Sequence, residues 1–412
     1  MTMISSRSKA VQYAPESEAG PSRPEHLRQG NARVLLRLLR EHAPCSKADL
    51  VRLSGLSAPT ISSAVALLEA RGLVKYIGNG ESKGGRPPGL LRFQAQHGFV
   101  AGADIGGTSL RMMLADLNGT VVAQWSTHFA AHQRTPRAVC TLIRKGLATL
   151  SKERKIAMRR ILHITAGAPG ITNVDAGVVV SAPNLSGWND VPLRAMIEAS
   201  MSVPAAVEND TNLAAIGEQW RGAAEGIEDF VFVALGTGLG AGIFLRGRAY
   251  HGANWSAGEI GYMGRRGEGR QSLQVRSTGQ LDRAIGGAGI EAEWRRVLRT
   301  QRKKQEGLTD LRATDIFDLA LDGHALAAEV VEYTARVLAD CVSELALVLD
   351  PELVVLGGGI GRHVALCAAT ETMLSKNEFA RPRIVSSSLG TQAQLYGAIS
   401  VSLAAIEERL IA

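Results

Sequence analysis

The chain has 412 residues, 45% of them hydrophobic and 21% charged, with a formal net charge of +7. That length supports two or three domains, each with its own core, and the composition is that of a globular protein, not of a disordered, collagen-like or disulfide-rich one. No run approaches the ~18 consecutive apolar residues that span a bilayer, and Met1–Gly30 lacks the apolar centre of a secretory signal, which argues against membrane and secreted classes. The charge is unevenly placed: residues 1–95 carry 14 Lys/Arg against 7 Asp/Glu, and the remainder carries 32 of each. Positive charge confined to the first quarter fits a segment that meets a polyanion. Cys45, Cys140, Cys341 and Cys367 show no metal-ligand or redox spacing; they suit a reducing cytoplasm and read as small buried hydrophobes.

Residues 1–29 are polar and read as a disordered leader. Residues 30–95 carry three short helical patterns. Val34, Leu35, Leu38 and Leu39 form an apolar stripe at helical spacing. Ser46-Lys47-Ala48-Asp49 is a capping box, in which the serine caps the Asp49 amide and the carboxylate reaches back; it opens a helix of about two turns ending near Gly55. Ser57 caps a third helix with Pro59 in its first turn, where a missing amide hydrogen costs nothing. Ile61, Val65 and Leu68 are its buried stripe and Gly72 its stop.

The other face of that third helix shows Thr60, Ser62 and Ser63 near its N-terminus, short hydroxyl side chains that can approach base edges and phosphates. Leu73–Ile77, which includes Lys75, is a strand pattern, and Leu90–Phe93 is its return strand. Between them the tip Lys83-Gly84-Gly85-Arg86-Pro87-Pro88 presents Arg86 on a Pro-stiffened loop suited to a DNA backbone or minor groove. Ser57, Thr60, Ser62, Ser63, Lys75 and Arg86 are thus the expected contacts of a winged helix-turn-helix with double-stranded DNA. A small helical interaction domain with merely solvated basic residues is the competing reading. The helices, the wing and the localised charge occur together, which favours DNA.

From Gly98 the texture changes to apolar strands, glycine turns and longer helices. Gly98 to Leu114 is strand, tight turn at Gly106-Gly107-Thr108, then strand, and Asp116-Leu117-Asn118-Gly119 turns the chain into Thr120–Trp125. Val231–Leu235, Gly236-Thr237-Gly238-Leu239-Gly240-Ala241-Gly242 and Ile243–Leu245 repeat the device. Two such hairpins in two similar lobes can clamp a nucleotide's phosphates with backbone amides. The second run also fits a dinucleotide-binding pattern, but that pattern needs a helix directly after the turn and a strand follows here. Val354–Ile360, with Gly357, Gly358 and Gly359, ends a buried strand and opens a helix whose bare backbone suits a flat base or ribose.

At these residues the chain resembles the ROK family, which joins sugar-responsive repressors and sugar kinases on a two-lobed, actin-like (ribonuclease H-like) α/β fold. The resemblance runs from about residue 30 to the end. It is carried by Asp104-Ile105-Gly106-Gly107-Thr108, Ala168-Pro169-Gly170, Pro183-Asn184-Leu185-x-Gly187-Trp188, Glu208-Asn209-Asp210, Gly236–Gly242, Gly258-Glu259-Ile260-Gly261 and Gly357–Gly359. It implies that Asp104 would help hold Mg-ATP, and that Gly106, Gly107, Thr108, Gly236, Thr237, Gly238, Gly357 and Gly358 would line the nucleotide site. Asn184 and Asn209 would contact sugar hydroxyls, and Asp210 would be the base of phosphoryl transfer. Asp210 is also placed to cap the helix that follows, and the two roles are compatible. Glu259 reads either as a sugar-hydroxyl acceptor or as a solvated glutamate.

The chain departs from the family where many members follow Gly-Glu-Ile-Gly with a zinc-binding histidine and cysteine cluster. Tyr262 stands at the histidine position, and Gly279-Gln280-Leu281-Asp282 looks like the end of that cluster, with Gln280 for a cysteine and Asp282 for a sugar-contacting glutamate. No zinc is therefore expected, and packing or the basic segment Gly264–Arg270 would have to stiffen the loop. The expected division is 97–207 for lobe I, completed by 392–412, and 208–391 for lobe II. The C-terminal stretch from Gln392 is read as a helix returning to lobe I. Two readings stand: a cytoplasmic, homodimeric regulator answering to a sugar or sugar phosphate, or an ATP-dependent, glucokinase-like sugar kinase carrying a DNA-binding domain. Repression relieved by sugar is what the resemblance implies.

Overall fold

The computed structural model of the chain describes residues 24–80, 87–183, 185, 187–264, 278–300 and 308–411. Two compact units are present, one ending at Gln94 and one spanning Ala95–Arg409.

The first unit contains α1 (Pro24–His42), β1 (Cys45–Ser46), α2 (Lys47–Ser54), α3 (Ala58–Ala70), β2 (Val74–Asn79) and β3 (Gly89–Phe93). Its sheet is antiparallel in the order β1-β3-β2. Residues 24–29, assigned above to the leader, are the first turns of α1; Pro24 at its first position has its φ preset and no amide to satisfy. The stripe of α1 is also rotated from the expected one. Ala32, Leu35, Leu36 and Leu39 are buried, whereas Val34 is 42% exposed. Apolar side chains at 34, 35, 36, 38 and 39 satisfy more than one helical phase, and packing on α3 and β3 selects this one. The expected stripe of α3 is observed, with Ile61, Val65 and Leu68 fully buried.

Both caps form as the sequence dictates. The Ser46 hydroxyl accepts from the Asp49 amide at 3.1 Å, and the Asp49 carboxylate accepts from the Ser46 amide at 3.0 Å. Gly55 ends α2 at φ 71°. Because Ser46 is buried, Ser46→Ala is expected to lower the stability of this unit by about 1–2 kcal/mol, read as a lower calorimetric Tm.

The second unit has two sheets of matching design. In lobe I, β4 (Phe99–Ile105), β5 (Ser109–Asp116), β6 (Val121–His128), β7 (Ile161–Ala168) and β11 (Ala205–Asn209) lie in the order β11-β7-β4-β5-β6. Between β7 and β11 a small antiparallel sheet is made of β8 (Ile171–Asn173), β9 (Val178–Ser181) and β10 (Asn189–Val191). Helices α4 (Pro136–Glu153) and α5 (Leu193–Met201) complete the lobe's core. In lobe II, β12 (Phe230–Leu235), β13 (Leu239–Leu245), β14 (Arg248–Ala249), β15 (Leu353–Gly357) and β16 (Arg383–Ser386) lie in the order β14-β13-β12-β15-β16. Each sheet pairs a glycine hairpin with parallel strands.

The chain changes lobe at Asn209, the last residue of β11, and not at residue 208. Helix α6 (Asp210–Arg221) then packs on β13. Gly240 and Gly242 allow that approach; a methyl group on Gly242 would lie 2.6 Å from the Ala215 Cβ. Helices α7 (Gln280–Ile285), α8 (Gly287–Arg299), α9 (Ala313–Leu321), α10 (Ala325–Leu349), α11 (Gly358–Gly361) and α12 (Val364–Leu374) build lobe II. The last helix, α13 (Ala393–Ile411), lies against lobe I, where the Ser402 hydroxyl meets Thr165 Oγ1 at 2.7 Å and His163 Nδ1 at 3.0 Å.

All four cysteines are free thiols. Burial pushes Cys140 up to about 11 and Cys341 up to about 12, so neither is a thiolate near neutrality. Among the described residues no single helix is long and apolar enough to cross a membrane.

Candidate functional site

In the first unit Ser57 caps α3 as expected: its hydroxyl accepts the Thr60 amide at 3.4 Å and lies 2.8 Å from the Thr60 hydroxyl. Ser62 and Ser63 are exposed on that helix, and Ile61, Ala64, Val65 and Leu68 face inward. Lys75 is exposed on β2. The register places it directly opposite Arg92 of β3, also exposed. Like charges facing across a strand pair repel, so a phosphate between them would be welcome. Arg92 was missed in the sequence because its neighbour is set by strand register. Arg86 lies outside the described residues.

In the second unit Asp104, the next-to-last residue of β4, is buried beside Arg111 of β5. The Arg111 Nε donates to Asp104 Oδ2 at 2.9 Å and Nη2 donates to the same oxygen at 2.5 Å; Nη1 donates to the Thr391 carbonyl. Burial pushes the Asp104 carboxyl up and Arg111 pulls it down. This partner also escaped the sequence reading: the tight turn after Ile105 brings together two residues seven apart.

The glycines divide by role. Among the described residues, no atom lies within 4 Å of a methyl group built on Gly107 or Gly359, and one on Gly236 meets only the Gly359 amide nitrogen, at 4.0 Å. Bare backbone with free space is what a phosphate cradle requires, so these residues fit a nucleotide. Thr108 and Thr237 are exposed at the hairpin tips, and Gly106 closes the first turn by donating to the Ser109 carbonyl at 2.9 Å. Gly357 and Gly358 are explained by packing. A methyl on Gly357 would enter the Phe232 ring, and Gly358, at φ 80°, would place one 2.3 Å from the Leu235 carbonyl oxygen. Gly358→Ala is expected to destabilise the fold by about 3 kcal/mol or more, measurable by urea unfolding.

Asn209 and Asp210 stand where β11 passes into α6. Asn209, not Asp210, is the cap of α6: its side-chain oxygen accepts the Thr211 and Asn212 amides at 2.8 and 3.0 Å. Its Nδ2 donates to the Gly170 carbonyl at 2.8 Å. Asp210 Oδ1 accepts the Thr211 amide at 2.8 Å. Burial, together with the Asp104 and Glu259 carboxylates, raises the Asp210 carboxyl to about 7.

Glu259 is likewise raised, by burial and then by Asp282. Asp282 accepts the Leu239 amide at 2.7 Å and the Gly279 amide at 3.4 Å. Tyr262 is close enough to both carboxylates for its phenol to be pushed up, after burial, by Glu259 and Asp282. Asn184 lies outside the described residues.

Two residues behind the site were assigned no role from sequence, although Glu208 stands in one of the family motifs. Glu208 accepts the Asn209 amide at 2.8 Å and the Asn212 Nδ2 at 3.1 Å through one oxygen. Its other oxygen pairs with His251 Nε2 at 2.8 Å, and that carboxylate holds the imidazole above its usual value. This ion pair joins the two lobes. The acidic residue beside Asn209 was the available signal, but nothing in the sequence marks a partner 43 residues away.

The cleft and the helical unit each have known counterparts. Residues 100–405 match the ROK family, and residues 29–83 match the MarR family. A glucokinase of Halalkalibacterium halodurans is 32% identical over 269 residues, covering 64% of this chain and 81% of that protein. The DNA-binding transcriptional dual regulator NagC of Escherichia coli (strain K12) is 25% identical over 346 residues, 84% of each chain. The crystal structure of a ROK family transcriptional regulator, described as a homologue of the E. coli MLC protein, superposes with a TM-score of 0.76 at 22% identity, over 94% of this chain and 98% of that one. The family match extends from the second residue of β4 into α13, and the chain belongs to the ROK family, with a winged helix preceding the ROK domain in the sequence.

Proposed function

We propose that this chain is a cytoplasmic, sugar-responsive DNA-binding transcription regulator, a repressor of carbohydrate genes. The observation that carries the proposal is one polypeptide holding two kinds of surface: an exposed hydroxyl-bearing recognition helix in a basic unit, and a cleft of glycines and carboxylates in a neutral one. The DNA contacts are Ser57, Thr60, Ser62, Ser63, Lys75 and Arg86, joined by Arg92. Asn184, Asn209, Asp210 and Glu259 contact the sugar or sugar phosphate. The chain works as a homodimer, because a two-fold operator needs two recognition helices about 34–36 Å apart. Sugar binding favours one closure of the lobes and thereby shifts operator affinity; that shift is bounded by the sugar's preference for that closure. No zinc takes part, since Tyr262 and Gln280 replace ligands of the family cluster.

A second activity is favoured by two observations: burial with Asp104 and Glu259 raises Asp210 to about 7, and the backbone is open at Gly107, Gly236 and Gly359. Mg-ATP would be held by Asp104 with Gly106, Gly107, Thr108, Gly236, Thr237 and Gly238, and would supply the phosphoryl group. Asp210 would take the proton of the attacking sugar hydroxyl as its oxygen bonds to the γ-phosphorus, the bond from that phosphorus to the bridging oxygen would break, and ADP would leave. Kinase and regulator roles are compatible on one chain.

The regulator reading is tested by deleting the gene and comparing transcripts without added sugar. Derepression of genes for the uptake and first conversion of one sugar is expected. An unchanged transcript profile contradicts it.

A further inference from the structure

Three segments of lobe II meet at the carboxylate of Asp282, the third residue of α7. Its Oδ1 accepts the amide of Leu239 at 2.7 Å, where the Gly236-Thr237-Gly238 hairpin enters β13. Its Oδ2 accepts the Gly279 amide at 3.4 Å, closing the start of α7 on itself. The turn that carries Glu259 forms the third wall. A methyl group on Gly261 would lie 2.6 Å from the Asp282 Cγ and from both carboxylate oxygens, and one on Gly238 would lie 3.1 Å from Oδ1. One on Gly279 would come within 2.0 Å of the Gly261 carbonyl oxygen.

We infer that Asp282 is a positioning residue: its carboxylate fastens the Glu259 turn and the Gly236–Gly238 hairpin to the start of α7 as one rigid piece, fixing the spacing between that turn and that hairpin. Hydrogen bonds from amides to a carboxylate are about twice as strong as neutral ones, and they are stronger still in a low-dielectric setting. Gly261 supports the assignment independently. Its φ lies outside the left-handed region, so its backbone does not require glycine. The nearest atoms to a side chain there are those of the Asp282 carboxylate, which would have to move. This role is proposed in place of the sugar contact that the family resemblance implies for Asp282.

The test is hydrogen–deuterium exchange of the full chain without ligand, so its outcome does not depend on the proposed function. Asp282→Ala is expected to speed exchange about tenfold in residues 236–241 and 258–263 together. Gly261→Ala, which displaces the carboxylate, should loosen the same two segments. The double variant should be no worse than either single one, because the methyl then enters vacated space and the two effects are not additive. Asp282→Asn keeps the shape and one acceptor for the Leu239 amide, and should retain most of the hairpin's protection. Loosening of only one segment, effects that multiply in the double variant, or unchanged exchange in Asp282→Ala would each overturn the inference. The last result would free the carboxylate for the sugar.

Discussion

Ser63→Glu is expected to weaken binding to a cognate DNA duplex about a hundredfold or more while leaving the fold intact. Ser63 is exposed on the N-terminal half of α3, beside Ser62 and one turn beyond the capped Ser57–Thr60 start. The inward side of the helix is occupied by Ile61, Ala64, Val65 and Leu68, so the substitution touches no core contact. A surface change of this kind stays within about 0.5 kcal/mol in stability. Against DNA the same change removes a short hydroxyl and brings a carboxylate toward phosphates. A lost base contact costs about 1–3 kcal/mol, and charge repulsion adds to it. Fluorescence anisotropy at fixed salt reads the effect, since the phosphate contribution varies steeply with ionic strength. Unchanged affinity would mean that α3 is not the reading helix.

Asp210→Asn is expected to raise the Tm by about 5 °C at pH 8 and to abolish any sugar-dependent ADP release by the wild-type chain. Burial and the neighbouring Asp104 and Glu259 carboxylates raise the Asp210 carboxyl from 3.8 to about 7. The ionised form is therefore disfavoured in the fold. Its cost is absent below pH 3.8, grows as pH rises and is complete above about pH 7. Asparagine removes that cost, so the stabilisation should be present at pH 8 and vanish near pH 4. Transfer, which uses the carboxylate as a proton acceptor, should rise with pH through about 7 and fall about 10²–10⁴-fold in the variant. Stability gained together with activity lost is the usual signature of a functional site held under electrostatic strain. A variant no more stable than the wild-type chain at pH 8 would show that Asp210 is not destabilised by ionisation.

Local rules were legible in the sequence and tertiary ones were not. The Ser46–Asp49 capping box, the Ser57 cap, the Gly55 stop and both glycine hairpins follow from neighbours within a few residues, and each forms where the sequence places it. The phase of α1 was misread because its apolar residues fit two faces, and only the packing partner decides between them. The cap of α6 belongs to Asn209, since the residue before the first helical one is the one whose extended backbone lets its side chain reach back to the amides. Cross-strand partners such as Arg111 for Asp104 and Arg92 for Lys75 require the register. The His251–Glu208 pair and the bond from Leu239 to Asp282 join residues 43 apart, which no periodicity encodes.

The central claim is that a sugar held in the ROK domain controls DNA binding by the winged helix. The most direct measurement selects duplexes from a randomised DNA pool with the purified full-length chain. The affinity for the selected duplex is then titrated with glucose, xylose, N-acetylglucosamine and their 6- or 5-phosphates. At least one sugar is expected to shift the affinity by about fivefold or more, the lower end of ordinary allosteric coupling, and Glu259→Gln should remove that shift without changing the affinity of the sugar-free chain. Enrichment of no duplex, or an affinity indifferent to every sugar and sugar phosphate in the panel, would contradict the account.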